Sequence, residues 1–278
     1  MVTIVRPSEI GQNGHDIETT NYINYCLDGI QKAISTNSDY NAALGQRWIT
    51  KIRCLQSEIK HPIAWCQRIT IHLRLYTSNE ILCCNIVDDQ NNVMCVVLIK
   101  MELGNSSRVG VMRHPKAKLN TWRPNPLEIQ IFSTTFGYYR DRYGNIDLAK
   151  MFRMMGELRM ASWLQGYMDW DQFYLKNNQA AVIASHTVKI KPNTYKLESK
   201  ADISLHLKLL AIQKSSFVIR HQLKLKTNPT DILIEMITVI VFTRNTKPMP
   251  LPIQFMDKYA KLVSGHKIPN KVDHTLKL

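Results

Sequence analysis

The 278-residue chain lacks several features that would assign it to a common class of protein. No window of roughly 18 uncharged apolar residues occurs, so we expect no membrane span. The first residues show no basic segment followed by an apolar core, so we expect a cytoplasmic protein rather than a secreted one. No Gly-x-Ser-x-Gly turn, glycine-rich phosphate loop or metal-spaced His/Asp/Glu cluster is present. The sequence therefore predicts no serine nucleophile, no bound metal and no cofactor.

Cysteines are few, and they are unevenly placed. All 6 lie in the first half of the chain, none forms a Cys-x-x-Cys pair, and most sit inside apolar runs. This pattern favours buried, reduced thiols over a disulfide framework or a zinc site.

Acidic residues are scarce relative to basic ones, with 22 Asp and Glu against 36 Lys and Arg and a formal net charge of +14. The imbalance is greatest in residues 104–126, a segment without acids that carries Arg108, Arg113, Lys116, Lys118 and Arg123. Such a segment would attract nucleic acid, an acidic protein or a nucleotide-bearing cofactor. A solvated basic linker is the other interpretation, because no Arg/Lys-aromatic binding module is recognisable.

Two blocks of the chain are alike. Residues 6–34 and 136–164 each contain a strand-like run, a glycine-containing turn and an apolar helix with one acidic residue, Asp28 or Glu157. Each block is followed by four long alternating segments. A repeat of this length predicts two similar domains side by side.

The hydrophobic periodicity predicts the elements within each half. In the first half it predicts a helix over 22–34, strand-like segments over 48–59, 66–76, 80–87 and 94–103, and a turn at 88–92. In the second half it predicts a strand over 128–138, a helix over 148–165 opened by Asp147, strands over 180–191, 200–213, 216–226 and 232–244, a turn at 227–230 and a last helix over 253–263. Alternation places Ile69, Ile71, Leu73 and Leu75 on one buried face, and Ile203, Leu205, Leu207 and Leu209 on another.

This order of elements predicts an α+β protein in which a long helix is wrapped by a curved antiparallel sheet, twice over. It resembles the hotdog fold, and two copies in one chain are similar to the tandem-hotdog acyl thioesterases. The predicted units are a first hotdog domain over 1–104, a basic linker over 105–126, and a second hotdog domain with a terminal helix and tail over 127–278.

A short motif carries the resemblance in the first half. The segment 8–15 reads Ser-Glu-Ile-Gly-Gln-Asn-Gly-His and is similar to the Asp-x-Asn-x-His segment of acyl-carrier-protein thioesterases. Asn13 and His15 fall on the asparagine and histidine of that pattern, and Tyr22 falls on its helix tyrosine after a one-residue insertion. Gly11 stands where the pattern has its catalytic aspartate, and Glu18 and Thr19 replace its paired asparagines.

The second half carries a looser match. Asp141 and Asn145 occupy the turn where hotdog thioesterases usually place Asp and His, and Glu157 matches a helix carboxylate that some of these enzymes use. A glutamate paired with Arg153 or Arg159 is the alternative for Glu157. The methionines between 151 and 160 are interpreted as core packing, with an acyl-binding wall as the alternative.

The resemblance implies thioester hydrolysis. His15 or Glu157 would serve as the base, Asn13 would orient substrate or water, and backbone amides at a helix N-terminus would receive the developing oxyanion. An apolar tunnel between helix and sheet would accept the acyl chain, and Tyr22 would be one of the residues that bind substrate. A turn histidine without a catalytic role is the alternative for His15.

The implied partners are acyl-CoA or acyl carrier protein, whose phosphates or acidic surface would meet Arg113, Lys116 and Lys118. A homodimer is compatible with this arrangement, and the net charge leaves nucleic acid open. Two other functions stay open as well. One is an acyltransferase, dehydratase or decarboxylase on the same fold. The other is a catalytically inactive subunit of a larger assembly, of which an RNA-containing assembly is one version.

Overall fold

The structure is a computed structural model that describes residues 2–4, 19–45, 47–61, 68–76, 80–103, 129–135, 139–140, 146–148, 150–156, 179–245 and 247–253. Its helices are α1 (Thr19–Thr36) and α2 (Ser38–Leu44), and residues 148 and 150–156 are also helical. Its strands are β1 (Val2–Ile4), β2 (Ile52–Ile59), β3 (Arg68–Tyr76), β4 (Ile81–Val87), β5 (Val93–Met101), β6 (Ile129–Thr135), β7 (Gln179–Ile190), β8 (Asp202–Ile212), β9 (Ser216–Leu225), β10 (Ile232–Arg244) and β11 (Lys247–Pro248).

The eleven strands of the described residues belong to one antiparallel sheet. The order is β1-β3-β4-β5-β2-β7-β10-β9-β8-β6, and the short β11 pairs with β10. Strands β1 to β5 lie in the order β1-β3-β4-β5-β2. Counted inward from the opposite edge of the sheet, strands β6 to β10 repeat this order as β6-β8-β9-β10-β7. The two sets meet where β2 pairs with β7, in a register that runs from Cys54 opposite Lys189 to Glu58 opposite Ser185.

One face of the sheet is apolar and carries the core. In β3, Ile69 and Ile71 are buried, whereas Arg68, His72 and Arg74 are exposed. Leu73 and Leu75 are half-buried and pack against the core, so the predicted alternation is confirmed, with weaker burial towards the end of the strand. The predicted apolar residues of β8 are buried as well, namely Ile203, Leu205, Leu207 and Leu209. This buried face is called the inner face below.

Helix α1 packs on the inner face, where it contacts β3, β4 and β5. The helix confirms the prediction over 22–34 and extends it at both ends. Its buried side chains recur at the three- and four-residue spacing of an amphipathic helix: Tyr22, Ile23, Tyr25, Cys26, Leu27, Ile30 and Ile34.

The second-half helix begins as predicted. The carboxylate of Asp147 accepts a hydrogen bond from the backbone amide of Lys150 at 2.9 Å, which is the capping bond expected for an aspartate at a helix start. Met151, Phe152 and Met155 are fully buried in the same core cluster as α1, so these methionines pack the core as interpreted. Residues 157–165 of the predicted helix lie outside the described residues, and so do residues 254–263.

The segment between α1 and β2 corrects the sequence prediction. Residues 48–51 form a 3-10 turn rather than the start of a strand, and the short helix α2 was not predicted. The side chain of Asn37 caps α2 by accepting from the amide of Asp39 at 2.8 Å. The indole of Trp48 donates to the Gln31 side chain at 2.8 Å, so a contact with α1 outweighs the strand-like composition of this segment.

Candidate functional site

Most residues predicted to form the site lie outside the described part of the chain. These are Asn13, His15, Arg113, Lys116, Lys118, Asp141, Asn145 and Glu157. Tyr22 is described: it lies in the first turns of α1 with 1% exposure, on the face of the helix that packs into the core. Of the predicted site residues, the structure therefore describes Tyr22, together with the elements that adjoin the others in the sequence.

In the first half, the described element that follows Asn13 and His15 in the sequence is α1. The helix begins at Thr19, four residues after His15 in the sequence. The backbone amides of a first helical turn have no partner within the helix, and together with the helix dipole they favour negative charge nearby. An oxyanion that develops close to this turn would meet suitable donors.

In the second half, backbone contacts join residues that precede and follow the predicted turn in the sequence. The amide of Asp147 donates to the carbonyl of Tyr139 at 2.8 Å, and Arg140 and Ile146 form an isolated antiparallel bridge. Asp141 and Asn145 belong to the stretch of sequence between these bridged residues. The helix that follows is described through residue 156, so Glu157 is the next residue in the chain.

The buried thiols of α1 and of the strands that it packs on are poor candidates for a nucleophile. Burial raises the pKa of the Cys26 thiol well above its usual range, and the neighbouring Cys84 raises it further through a hydrogen bond. Burial also raises the pKa of Cys95, with the charge of Cys84 as a lesser cause. Such thiols stay protonated at neutral pH, and the thiolate is the reactive form. The five described cysteines are all free, as the sequence analysis expected.

A row of polar side chains crosses the inner face at the junction of the two halves. Ser57 of β2 is opposite His186 of β7, and His186 is opposite Thr238 of β10. Nδ1 of His186 lies 3.1 Å from the Thr238 hydroxyl. All three residues are at most 1% exposed, so polar groups are held inside a sheet face that is otherwise mostly apolar.

A second buried histidine lies one strand further along. His221 of β9 is fully buried, and its Nδ1 lies 3.3 Å from the carbonyl oxygen of Met236. The burial of these two histidines was not predicted from the sequence. The signal was present, since His186 falls in step with Val188 and Ile190, and His221 with Ile219 and Leu223, at positions where strand alternation calls for apolar residues.

The described residues include no helix that is long and apolar enough to cross a membrane. Within the same ranges, no group of three or more His, Cys, Asp or Glu side chains is arranged to hold a metal ion.

Comparison with solved structures finds proteins of the same architecture. The chain is similar to a protein of Lactobacillus plantarum provisionally assigned as an oleoyl thioesterase, with a TM-score of 0.59 over 90% of this chain and 96% of the other at 11% identity. It is also similar to the 12:0-ACP thioesterase from Umbellularia californica (TM-score 0.55, 87% and 93% covered, 11% identity). An acyl-ACP thioesterase from Bacteroides thetaiotaomicron VPI-5482 gives a TM-score of 0.53, with 87% and 96% covered and 11% identity.

The chain has the hotdog fold. Each of these three structures is matched over more than nine-tenths of its own length, so the likeness involves both halves of the sheet. No protein-family model and no curated protein sequence matches the chain. At 11% identity the likeness is one of fold, and the chemistry must be argued from the residues.

Proposed function

We propose that the chain is a thioesterase-like hydrolase acting on acyl thioesters of coenzyme A or acyl carrier protein. The observation that carries the proposal is the match of nearly the whole chain to structures named as acyl-ACP thioesterases. A fold alone supports several chemistries, so the proposal also rests on the Asn13-x-His15 motif, which ends four residues before α1 in the sequence.

The proposed architecture is a pair of hotdog domains, residues 1–104 and 127–278, joined by the basic linker 105–126. The repeated strand order in the two halves of the sheet supports it, and among the described strands β2 and β7 are the pair that joins one half to the other. A helix lies after the first strand of each half, over 19–36 and from 148 onward.

In the proposed mechanism, His15 removes a proton from the attacking water and Asn13 orients the thioester. The amides of the first turn of α1 stabilise the oxyanion that forms at the thioester carbonyl. Tyr22 lies on the buried face of α1, so the acyl chain would enter the interior along this side of the helix. Glu157, with Asp141 and Asn145, is the corresponding set in the second half.

The basic linker has a proposed role in substrate capture. Arg113, Lys116 and Lys118 would attract the phosphates of coenzyme A or the acidic surface of a carrier protein. This attraction is electrostatic, so the KM for acyl-CoA should rise with ionic strength.

The test is release of free thiol from acyl-CoA and acyl-ACP substrates of graded chain length. His15→Ala should lower kcat by roughly 100-fold or more if His15 is the base, whereas Glu157→Gln separates the second-half site from the first. His72→Ala is the matched control, since His72 is an exposed histidine on β3. Wild-type protein that releases thiol from no substrate would overturn the proposal.

A second candidate, a catalytically inactive subunit, is favoured by one observation. Gly11 stands where the resembling pattern has its aspartate, and glycine carries no side chain that could act as a base. If that subunit binds RNA through the basic segment, the affinity must fall steeply with added salt because counterions are released. RNA binding that is absent or indifferent to salt would remove this candidate.

A further inference from the structure

The hydroxyl of Ser57 is buried near the centre of the sheet, and it has no hydrogen-bond partner among the residues that the structure describes. On the inner face of β2, Ser57 alternates with Leu55 and Ile59, and across the sheet its neighbours are Val97 and His186. Apolar residues occupy three of these four neighbouring positions. An alanine here would avoid the loss of hydrogen bonds to water that burial of a hydroxyl entails.

Ser57 lies beside polar groups that are already arranged. Its cross-strand neighbour His186 holds the Thr238 hydroxyl at 3.1 Å through Nδ1, on the side of the ring away from β2. Directly opposite residues on adjacent strands have Cβ atoms about 5 Å apart. A hydrogen-bonding group placed over Ser57 would therefore enter a small polar area and would not be isolated in an apolar wall.

Helix α1 contacts β3, β4 and β5, and Ser57 lies on the next strand of the sheet, β2. Cys26 of α1 is a neighbour of Cys84 of β4, and Cys84 lies in the same row as Val97 and Ser57, two strands before Ser57. At the usual strand spacing, Ser57 is about 10 Å from Cys84 along the sheet. Ser57 thus lies on the strand at which the two halves of the sheet join.

We propose that Ser57 is a polar anchor for an oxygenated acyl chain, one that carries a hydroxyl or oxo group at a carbon remote from the thioester. The serine hydroxyl can donate to either group and can accept from a hydroxyl. This inference deepens the proposed thioesterase function and rests on it for the presence of an acyl chain. It adds the substrate class, which is an oxygenated rather than a purely hydrocarbon chain.

The first experiment measures binding without catalysis. Dodecanoic acid and the series of monohydroxydodecanoic and monooxododecanoic acids are titrated into the full chain, and Kd is obtained from tryptophan fluorescence. At least one oxygenated isomer should bind roughly 2- to 10-fold more tightly than dodecanoic acid, the range expected for one added hydrogen bond. Equal affinity across the series, or no binding of any fatty acid, overturns the proposal.

Variants assign the preference to Ser57. Ser57→Ala should abolish the preference for the oxygenated isomer while leaving the Kd of dodecanoic acid unchanged. Its Tm without ligand should equal or exceed that of wild type, because the substitution removes a buried hydroxyl that lacks a partner. Ser204→Ala is the matched control: Ser204 is also buried in the sheet, but its hydroxyl lies 3.0 Å from Nε2 of His206, and this variant should keep the preference.

Two outcomes would argue for a purely structural serine and against the anchor. One is a clear fall in Tm in Ser57→Ala, and the other is a preference for oxygenated isomers that survives in that variant.

A turnover assay separates failure of this inference from failure of the proposed function. The same acyl series is presented as coenzyme A thioesters, and thiol release is followed. If no thioester is hydrolysed but Ser57 still selects oxygenated fatty acids, the hydrolase proposal falls and the anchor stands. If thioesters are hydrolysed and oxygenated chains are neither bound nor hydrolysed in preference, the anchor falls and the hydrolase proposal stands.

Discussion

Gly29 of α1 lies so close to Ile71 of β3 that a Cβ atom at position 29 would be 3.2 Å from both Cγ2 and Cδ1 of Ile71. Ile71 is 5% exposed and belongs to the main core cluster, so its side chain has little room to move. Glycine within a helix costs about 1 kcal/mol relative to alanine. The close approach of helix to sheet explains why this position nevertheless has no side chain.

We expect Gly29→Val to lower the free energy of unfolding by about 1–3 kcal/mol, the usual effect of forcing extra methyl groups into a packed core. Urea denaturation measures this change. Ala33→Val is the control, because Ala33 lies in the same helix in a half-buried position and loses mainly helix propensity. Adding Ile71→Val, which removes Cδ1, should restore part of the loss. A Gly29→Val variant no less stable than Ala33→Val would contradict the close contact.

Asp88 organises the hairpin turn between β4 and β5. Its carboxylate accepts from the side chain of Asn92 at 2.9 Å and from the amides of Asn92 and Gln90 at 2.8 and 2.9 Å. These bonds, the Asn92 side chain first, hold the pKa of Asp88 below its usual value. Because the folded-state pKa is the lower one, the stabilisation is present above the unfolded-state pKa of about 3.9 and is lost as the pH falls through the folded-state pKa.

The stability of wild type relative to Asp88→Asn should therefore be constant from neutral pH to about pH 5 and should shrink as the pH falls further below 4. The measurement is the urea midpoint of both proteins as a function of pH. Asp89→Asn is the control, since Asp89 is the exposed neighbour in the same turn. A difference between wild type and Asp88→Asn that stays flat down to pH 2 would argue against the charged acceptor.

The thiols should differ in reactivity according to their burial. Burial raises the pKa of both Cys26 and Cys95, whereas Cys83 is half-buried and Arg74 partly offsets the rise in its pKa. We expect iodoacetamide at neutral pH to alkylate Cys83 at least roughly tenfold faster than Cys26 or Cys95, because each pKa unit changes the thiolate fraction about tenfold. Site-resolved mass spectrometry measures the rates, and concentrated urea should make them similar. Rapid native alkylation of Cys26 would show that the thiol is not held in the core.

Elements with a local cause were predictable from the sequence. The alternation of β3 and β8, the period of α1 and the polar turn at 88–92 each depend on residues that are close in the chain. The helix α2 was missed because its cap, Asn37, directly follows α1 and its seven residues are too short to show a clear period. Trp48 was misassigned because its partner, Gln31, belongs to another element.

Features that depend on pairing between strands distant in the chain could not be predicted from the sequence. The repeat predicted two units, but nothing local specifies that Ser57 of β2 should pair with His186 of β7, more than a hundred residues away. The two-residue spacing along β7 could have placed His186 on the inner face, since it puts His186 on the same face as Val188 and Ile190. Without the pairing between strands, however, Ser57, His186 and Thr238 could not be recognised as one row.

The second-half helix should depend on its cap at Asp147. The Asp147 carboxylate accepts from the amide of Lys150, and the core residues Leu148, Met151 and Phe152 follow within the next turn and a half. Replacing a capping aspartate by alanine removes the acceptor and leaves a helical amide without it, at a cost of about 0.5–2 kcal/mol. We therefore expect Asp147→Ala to lower the free energy of unfolding by about 1 kcal/mol.

Asp147→Asn is the matched variant, because asparagine retains an oxygen that can accept from the Lys150 amide. It should lose clearly less stability than Asp147→Ala, and the remaining loss should diminish at high salt, since only the interaction of the charge with the helix dipole has been removed. Urea midpoints at low and high ionic strength measure both effects. If Asp147→Asn were as destabilised as Asp147→Ala at every salt concentration, the capping bond would not be the source of the stability. The helix start would then depend on the packing of Leu148 and Met151 alone.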